Sequence, residues 1–364
     1  MGGALVESLP SEEDWASSAP IYRIRIMLHE NVCLEAIGYE LPPNVVSSES
    51  IYDELAPTLE RLSIPAEGLQ ALTGVEERRF WDRGQPLHEA AARAARRALE
   101  RSGIEGSRIG VLISTSVCRD YIEPSTAALV HGELGLSAEC LAFDLGNACL
   151  AFLNGLSVAA DMIEKGQIEA ALVVDAESAR DVTEATVARL LGENINGDRL
   201  REQFAALTLG SGAVAAVLTH RDLSAAGHRL TGHVNLADTR HSRLCLGKPT
   251  EMITDHKMLL QAGVDLARRT WQKACAVFGW TAEMVDLFVC HQVTSTHHRA
   301  VFDALGLDLK KSFVTFPFLG NVGPASVPLT LALALERGRV KVGDRIALMG
   351  IGSGLNCSMM ELLW

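Results

Sequence analysis

Two stretches of this chain share one layout, and that layout constrains the fold more than any other feature. GNACLAFLNGLSVAADMIEKGQIEAALVVDAES starts at Gly146, and GNVGPASVPLTLALALERGRVKVGDRIALMGIGSG starts at Gly320. Each opens on Gly-Asn, continues as a helix of small and apolar residues, passes Glu, a basic residue and Gly, and ends on an apolar strand. Continuous apolar strands alternating with helices bury both faces of a sheet, so the pattern predicts an α/β chain with two related halves. Two similar units arising from ordinary α/β packing, without duplication, are the plainer alternative.

The rest of the chain fits that alternation. SSESIYDELAPTLERLSI and LHEAAARAARRALERSGI have helical periodicity, and RIGVLISTS, CLAFDLG and MVDLFVCH read as buried strands. FAALTLGSGAVAAVLTH is expected to form paired strands around a Gly turn, whereas 179–204 and 222–262 are more polar and irregular, as ligand-channel insertions often are. The expected organisation is a leader over 1–29, a first half over 30–220 and a second half over 221–364.

The chain has 364 residues, 48% of them hydrophobic, which suffices for a large core. Its net charge of -12 argues against a nucleic-acid partner, which needs a concentrated basic face. No apolar run is long enough to span a membrane, and the first residues lack the basic and apolar regions of a secretion signal. The eight cysteines show no CxxC pair and no zinc-ligand spacing, so a reducing cytoplasm and no metal are expected. His291, His297 and His298 do not alter this, since no carboxylate or cysteine completes a set.

Cys149 follows the first Gly-Asn pair at the start of a helix, where free N–H groups favour a thiolate and can hold an oxyanion. A cysteine in an apolar run is more commonly packing. His291 ends a buried strand at the sheet edge where α/β sites form, and Asn321 occupies the Gly- and Pro-bounded loop FLGNVGPASVP. Each has a structural alternative, a hydrogen-bonded core histidine and a helix cap. The segment GIGSGLNC lacks the lysine and spacing of a phosphate loop and reads as a tight turn presenting backbone N–H groups.

Together, Cys149, His291, Asn321 and the closing GIGSGLNC resemble the thiolase superfamily, in its ketoacyl-synthase III-like branch, over about residues 30–364. STSVCRDYIEPSTAALV, FDLGNACLAFLNGL and RIALMGIGSGLNCSM are most similar to the OleA family of acyl-CoA condensing enzymes. The resemblance implies a thiolase-like α-β-α-β-α fold and non-decarboxylative condensation of two fatty acyl-CoA thioesters to a 2-alkyl-3-ketoacid for olefin, ketone or β-lactone biosynthesis. It implies Cys149 as nucleophile, with the N–H groups of Cys149 and Ser353 as oxyanion hole and His291 and Asn321 as donors to the enolate. Glu123 would be the base, reaching across a homodimer interface into the partner's site. No cofactor beyond the coenzyme A thioesters is implied.

Removing an α-proton is a task that a decarboxylating enzyme avoids, and it requires a positioned base. Without the resemblance, Glu123 reads as a surface carboxylate or a cap for the helix starting near Ser125. Arg243, Lys248 and Lys257 are the basic residues available for coenzyme A phosphates. The stretches 189–210 and 248–263 are candidates to line the alkyl channels. Two other functions share the Cys-His-Asn set: a decarboxylating β-ketoacyl synthase III using a malonyl carrier-protein donor, and a subunit that donates Glu123 to another chain in a heteromer.

Overall fold

The computed structural model describes residues 27–364 apart from 66–70, 72 and 193, so residues 1–26 of the expected leader lie outside the described residues. In chain order the elements are β1 (Met27–Leu28), β2 (Val32–Glu40), β3 (Asn44–Ser47), α1 (Ser48–Leu62), β4 (Glu77–Phe80), α2 (Leu87–Ser102), β5 (Ile109–Ser114), α3 (Thr126–Leu134), β6 (Leu141–Asp144) and α4 (Ala151–Glu164). Next come β7 (Ala170–Glu177), α5 (Arg180–Leu190), α6 (Gly197–Gln203), β8 (Gly212–His220), β9 (Arg229–Ala237), β10 (Cys245–Lys248), β11 (Glu251–Thr254) and α7 (His256–Phe278). The chain closes with β12 (Leu287–Cys290), α8 (Ser295–Leu305), α9 (Phe316–Leu319), α10 (Ser326–Glu336), β13 (Arg345–Gly352) and β14 (Asn356–Leu363).

One group of strands runs β6-β5-β7-β8-β2 and the other β12-β13-β14-β9, with β1 on the outer side of β9. A single pair, Cys33 with Arg229, joins them. In the first group β5 is parallel to β6 and β7, and β8 is antiparallel to β7 and β2. In the second, β12 is parallel to β13, and β14 is antiparallel to β13 and β9. A lone parallel bridge from Phe288 to Ser312 stands beside β12 where β6 stands beside β5.

Between the strand groups lie α4 and α10, and one hydrophobic cluster joins them. Phe152, Leu156 and Ile163 of α4 and Val327, Leu329 and Leu331 of α10 pack with Val111, Val173 and Val214 on one side and Val289, Ile346 and Leu348 on the other. On the outer face of the first group, the alanines of α2 pack against Leu112, Leu172 and Val217. Their small size lets β2 come close, since a Cβ on Gly38 would lie 2.3 Å from the Ala94 carbonyl oxygen. On the outer face of the second group, Leu266 and Trp271 of α7 and Phe302 of α8 pack against Phe288 and Met359. The result is the expected α-β-α-β-α layering.

Two local expectations fail. Residues 204–220 do not pair with themselves: Phe204–Thr208 is a 3-10 turn and only β8 is a strand. The backbone there pairs with a distant loop, because Gly210 N–H donates to Asn321 O at 2.8 Å and Asn321 N–H donates to Thr208 O at 2.9 Å. A side chain at Gly210 would collide with Leu319 O, so the glycine permits this contact. The stretch expected to be irregular also contains β9, whose alternating polar residues conceal a strand between β14 and β2.

Candidate active site

Cys149 lies in the short link between β6 and α4, and α4 begins at Ala151. The link turns tightly: Ala148 holds a left-handed φ of 45°, and Leu150 N–H donates to Asn147 O at 3.0 Å. Side chains brace it. Asn147 Nδ2 donates to Asn154 Oδ1 on α4 at 2.7 Å, and Asn356 Nδ2 on β14 donates to Asn147 Oδ1 at 3.2 Å.

The thiol is not acidified as its place ahead of a helix suggests. Burial pushes Cys149 up to about 12, and Cys245, Glu177 and Asp175 add to the effect. Desolvation of the thiolate outweighs the helix end. Cys149 is therefore a protonated thiol at rest, one that must lose its proton as it attacks.

His291 follows β12, and its N–H donates to Met349 O at 2.7 Å. Burial, helped by His297, lowers its imidazole to about 4, which keeps it neutral. Its Nε2–H faces Asn321 Oδ1 at 3.2 Å, and that oxygen also accepts from Gly323 N–H at 3.0 Å. With its oxygen so engaged, Asn321 has its amide Nδ2 left to donate. Asn321 caps no residue of α10, which starts five residues later, but its Oδ1 holds the N–H of Gly323, the first residue of the 3-10 turn leading into that helix. His291, His297 and His298 share a small cavity with Met349 and Ile351, and burial also lowers His297 and His298 to about 4.

Ser353 is in the turn between β13 and β14, which presses on the Cys149 loop. A Cβ on Gly352 would lie 3.2 Å from Leu150 N, and one on Gly350 would lie 2.4 Å from a Leu150 methyl. Glycine in GIGSG thus serves close approach to the nucleophile loop.

Glu123 belongs to the loop after β5. It is exposed, as are Val117, Tyr121 and Ile122, the last to 93%. The capping role considered for it belongs to Ser125, whose side chain accepts from Ala128 N–H. Glu123 makes no hydrogen bond or ion pair among the described residues.

Arg243, Lys248 and Lys257 are all exposed around the β10–β11 hairpin, and Lys248 pairs with Glu251 at 3.6 Å. The same hairpin carries Cys245, which lies near enough to help raise the Cys149 thiol. Of the two stretches expected to line alkyl channels, α6 packs on β11 and so borders this hairpin.

Sequence reasoning did not single out Asp175 and Glu177. Both are fully buried on β7, facing the side that Ala171 and Val173 present to α4. Glu177 accepts from Val117 N–H at 2.6 Å and Cys118 N–H at 3.3 Å, which fixes the root of the loop carrying Glu123. Its carboxyl also lies 3.8 Å from where a Cβ on Gly323 would stand, beside Asn321. Burial raises Glu177 to about 7, and burial together with Glu177 raises Asp175 well above the carboxylate range. Asp175 Oδ1 has no hydrogen-bond partner, while Oδ2 accepts from Thr115 Oγ1–H at 2.6 Å. Their only sequence signal was two acids at the end of an apolar strand.

Comparison with known proteins places this geometry in a family. Residues 143–237 match the model of 3-oxoacyl-[acyl-carrier-protein] synthase III, and residues 275–364 match that of its C-terminal part. The acyl-CoA:acyl-CoA alkyltransferase of Xanthomonas campestris pv. campestris is 45% identical over 338 residues, 93% of this chain and all of that protein. The Shewanella oneidensis protein of the same name is 39% identical over 350 residues, with 93% and 100% covered. The crystal structure of a cysteine-to-serine variant of Xanthomonas campestris OleA with bound lauric acid and lauroyl-CoA superposes with a TM-score of 0.90 at 44% identity, covering 93% of this chain and 100% of that one.

This chain belongs to the OleA family. It is a thiolase-superfamily condensing enzyme with an OleA-like fold, in which Cys149 precedes α4, His291 follows β12 and Asn321 lies in the loop before α10. Among the described residues, no helix is long and apolar enough to cross a membrane.

Proposed function

We propose that this chain condenses two fatty acyl-CoA thioesters head to head, without loss of carbon dioxide, to give a 2-alkyl-3-ketoacid. The observation that carries this reading is Glu123, exposed beside Ile122 and without a hydrogen bond or ion pair among the described residues, on a loop whose root Glu177 holds. Cys149 attacks the first thioester, and its proton leaves with coenzyme A as the free thiol. The N–H groups of Cys149 and Ser353 hold the tetrahedral oxyanion.

Glu123 of a second copy then takes an α-proton from the second acyl-CoA. Asn321 Nδ2–H donates to the enolate oxygen, His291 Nε2–H turns from Asn321 Oδ1 to join it, and the α-carbon attacks the acyl-enzyme, expelling the Cys149 sulfur. Hydrolysis of the remaining thioester releases the ketoacid and coenzyme A. Arg243, Lys248 and Lys257 bind the phosphates of coenzyme A, and no metal or redox cofactor takes part.

The functional unit in this reading is a homodimer, into which Tyr121 and Ile122 bury their exposed surface. Residues 30–220 and 221–364 form the two duplicated halves, in keeping with their matching strand order. All eight cysteines are free thiols, which suits a reducing cytoplasm.

The test is complementation. Glu123→Ala and Cys149→Ala are each inactive alone. Mixed one to one with subunit exchange, half the dimers are hybrids with one complete site of two, so about a quarter of wild-type activity returns. If Glu123 serves its own chain, mixing restores nothing.

A further inference from the structure

We propose that His29, Asp161 and His233 form a structural site for a zinc-class divalent metal ion. His29 directly follows β1, His233 is on β9 and Asp161 is on α4, the helix that follows the nucleophile. His29 Nε2 lies 2.9 Å from Asp161 Oδ1, and His233 Nε2 lies 3.9 Å from the same oxygen. One ligand atom from each residue lies within 4.8 Å of the others.

The unexplained group is His233 Nε2. The residue is 8% exposed, its nitrogen is buried, and no hydrogen-bond partner meets it. A simple pair of His29 with Asp161 leaves that nitrogen orphaned, whereas a cation among the three atoms satisfies it. A tetrahedral ion with ligands at ~2.0–2.2 Å sets them roughly 3.3–3.6 Å apart, between the two observed separations. Asp161 is 27% exposed, so a water can fill the fourth position. The Asn235 carboxamide, 2.9 Å from His233 Nδ1, braces that ring once its oxygen is turned to the Nδ1–H.

Two imidazoles and one carboxylate suit zinc, cobalt or nickel, while calcium and magnesium prefer oxygen ligands. The site is not catalytic. Asp161 is twelve residues beyond Cys149, about 18 Å along a helix at 1.5 Å per residue. The ion would tie the beginning of the described chain to both β9 and the central helix. The ligands come from three distant segments, so no spacing in the sequence announces them.

The experiment uses untagged full-length protein stripped with a chelator and titrated with cobalt(II), then zinc(II). One equivalent of cobalt is expected to give the visible bands of a four- or five-coordinate ion without a thiolate charge-transfer band, to be displaced by zinc, and to raise the melting temperature. Asp161→Asn and His233→Gln each weaken binding at least about tenfold while condensing activity of the Asp161→Asn enzyme persists. Asp161→Asn lies on a partly exposed helix face and keeps the test valid if His233→Gln does not fold. Absence of binding, binding unchanged in both variants, or a thiolate band lost in Cys149→Ala would overturn the proposal.

Discussion

Asn321 Oδ1 accepts two hydrogen bonds, from His291 Nε2–H at 3.2 Å and from Gly323 N–H at 3.0 Å. This fixes the orientation of two neutral side chains, one on the strand end after β12 and one on the loop before α10. The imidazole is lowered to about 4 by burial, so it stays a neutral donor across the physiological range. Asn321 Nδ2–H is thereby left free to donate to an enolate, and His291 Nε2–H joins it by turning from Asn321 Oδ1 as charge develops.

Removing either donor tests this. His291→Ala and Asn321→Ala are each expected to lower the condensation rate by about 10²–10³-fold. Steady-state assay of ketoacid formation checks it, with circular dichroism to verify folding. A loss below tenfold in both variants contradicts the donor roles.

The buried acid pair predicts a pH dependence of stability. Glu177 holds its proton up to about 7 in the folded chain, against 4.5 for its ordinary value. Between those values the folded state binds more protons than the unfolded one, so this group's contribution to stability falls as pH rises from 4.5 to 7 and is flat above. Glu177→Gln removes that slope. Denaturant unfolding of both proteins at pH 5 and pH 8 should show a smaller difference in the variant, and an equal difference would count against a proton held by the pair.

The buried histidines act in the opposite direction. Folded His291, His297 and His298 stay neutral to about 4, while an unfolded histidine takes a proton near 6.5. Below 6.5 the unfolded state binds more protons, so stability falls as the solution is acidified toward pH 4. His298→Phe, at a position already packed on Phe302 with ring centroids 4.5 Å apart, should flatten the acid limb of a melting-temperature profile. An unchanged limb would rule out a contribution from His298.

Close packing behind the nucleophile predicts the fourth result. A Cβ on Gly350 would lie 2.4 Å from Leu150 Cδ2 and 2.8 Å from Leu153 Cδ1. Gly350→Ala therefore costs about 1–3 kcal/mol of stability by overpacking and lowers the acylation rate through the shifted Cys149 loop. Chemical denaturation and a single-turnover assay of coenzyme A release measure the two effects. A variant with wild-type stability would show that this contact yields easily.

The layered fold was legible because apolar strands, small-residue helices and Gly-Asn pairs are local signatures, while Cys149, His291 and Asn321 stood out from their structural alternatives only through the family resemblance. Asp175 and Glu177 had no such signature, since their chemistry comes from burial against a helix elsewhere in the chain. Cys245 joins the site only through the β10–β11 hairpin. The acidity of Cys149 was misjudged for a similar reason, because a helix start is visible in sequence and desolvation is not. The strand β9 was hidden by polar residues at alternate positions, and the 204–220 segment by a partner loop more than a hundred residues away.

The central claim, condensation of two acyl-CoA molecules through Cys149, is tested most directly by mass spectrometry of the products formed from myristoyl-CoA alone. The expected result is a doubled-chain ketoacid, or the ketone it yields on losing carbon dioxide, present with the wild-type protein and absent with Cys149→Ala and Glu123→Ala. A product that forms only after a malonyl donor is added, with carbon dioxide released in the condensation, would contradict the account.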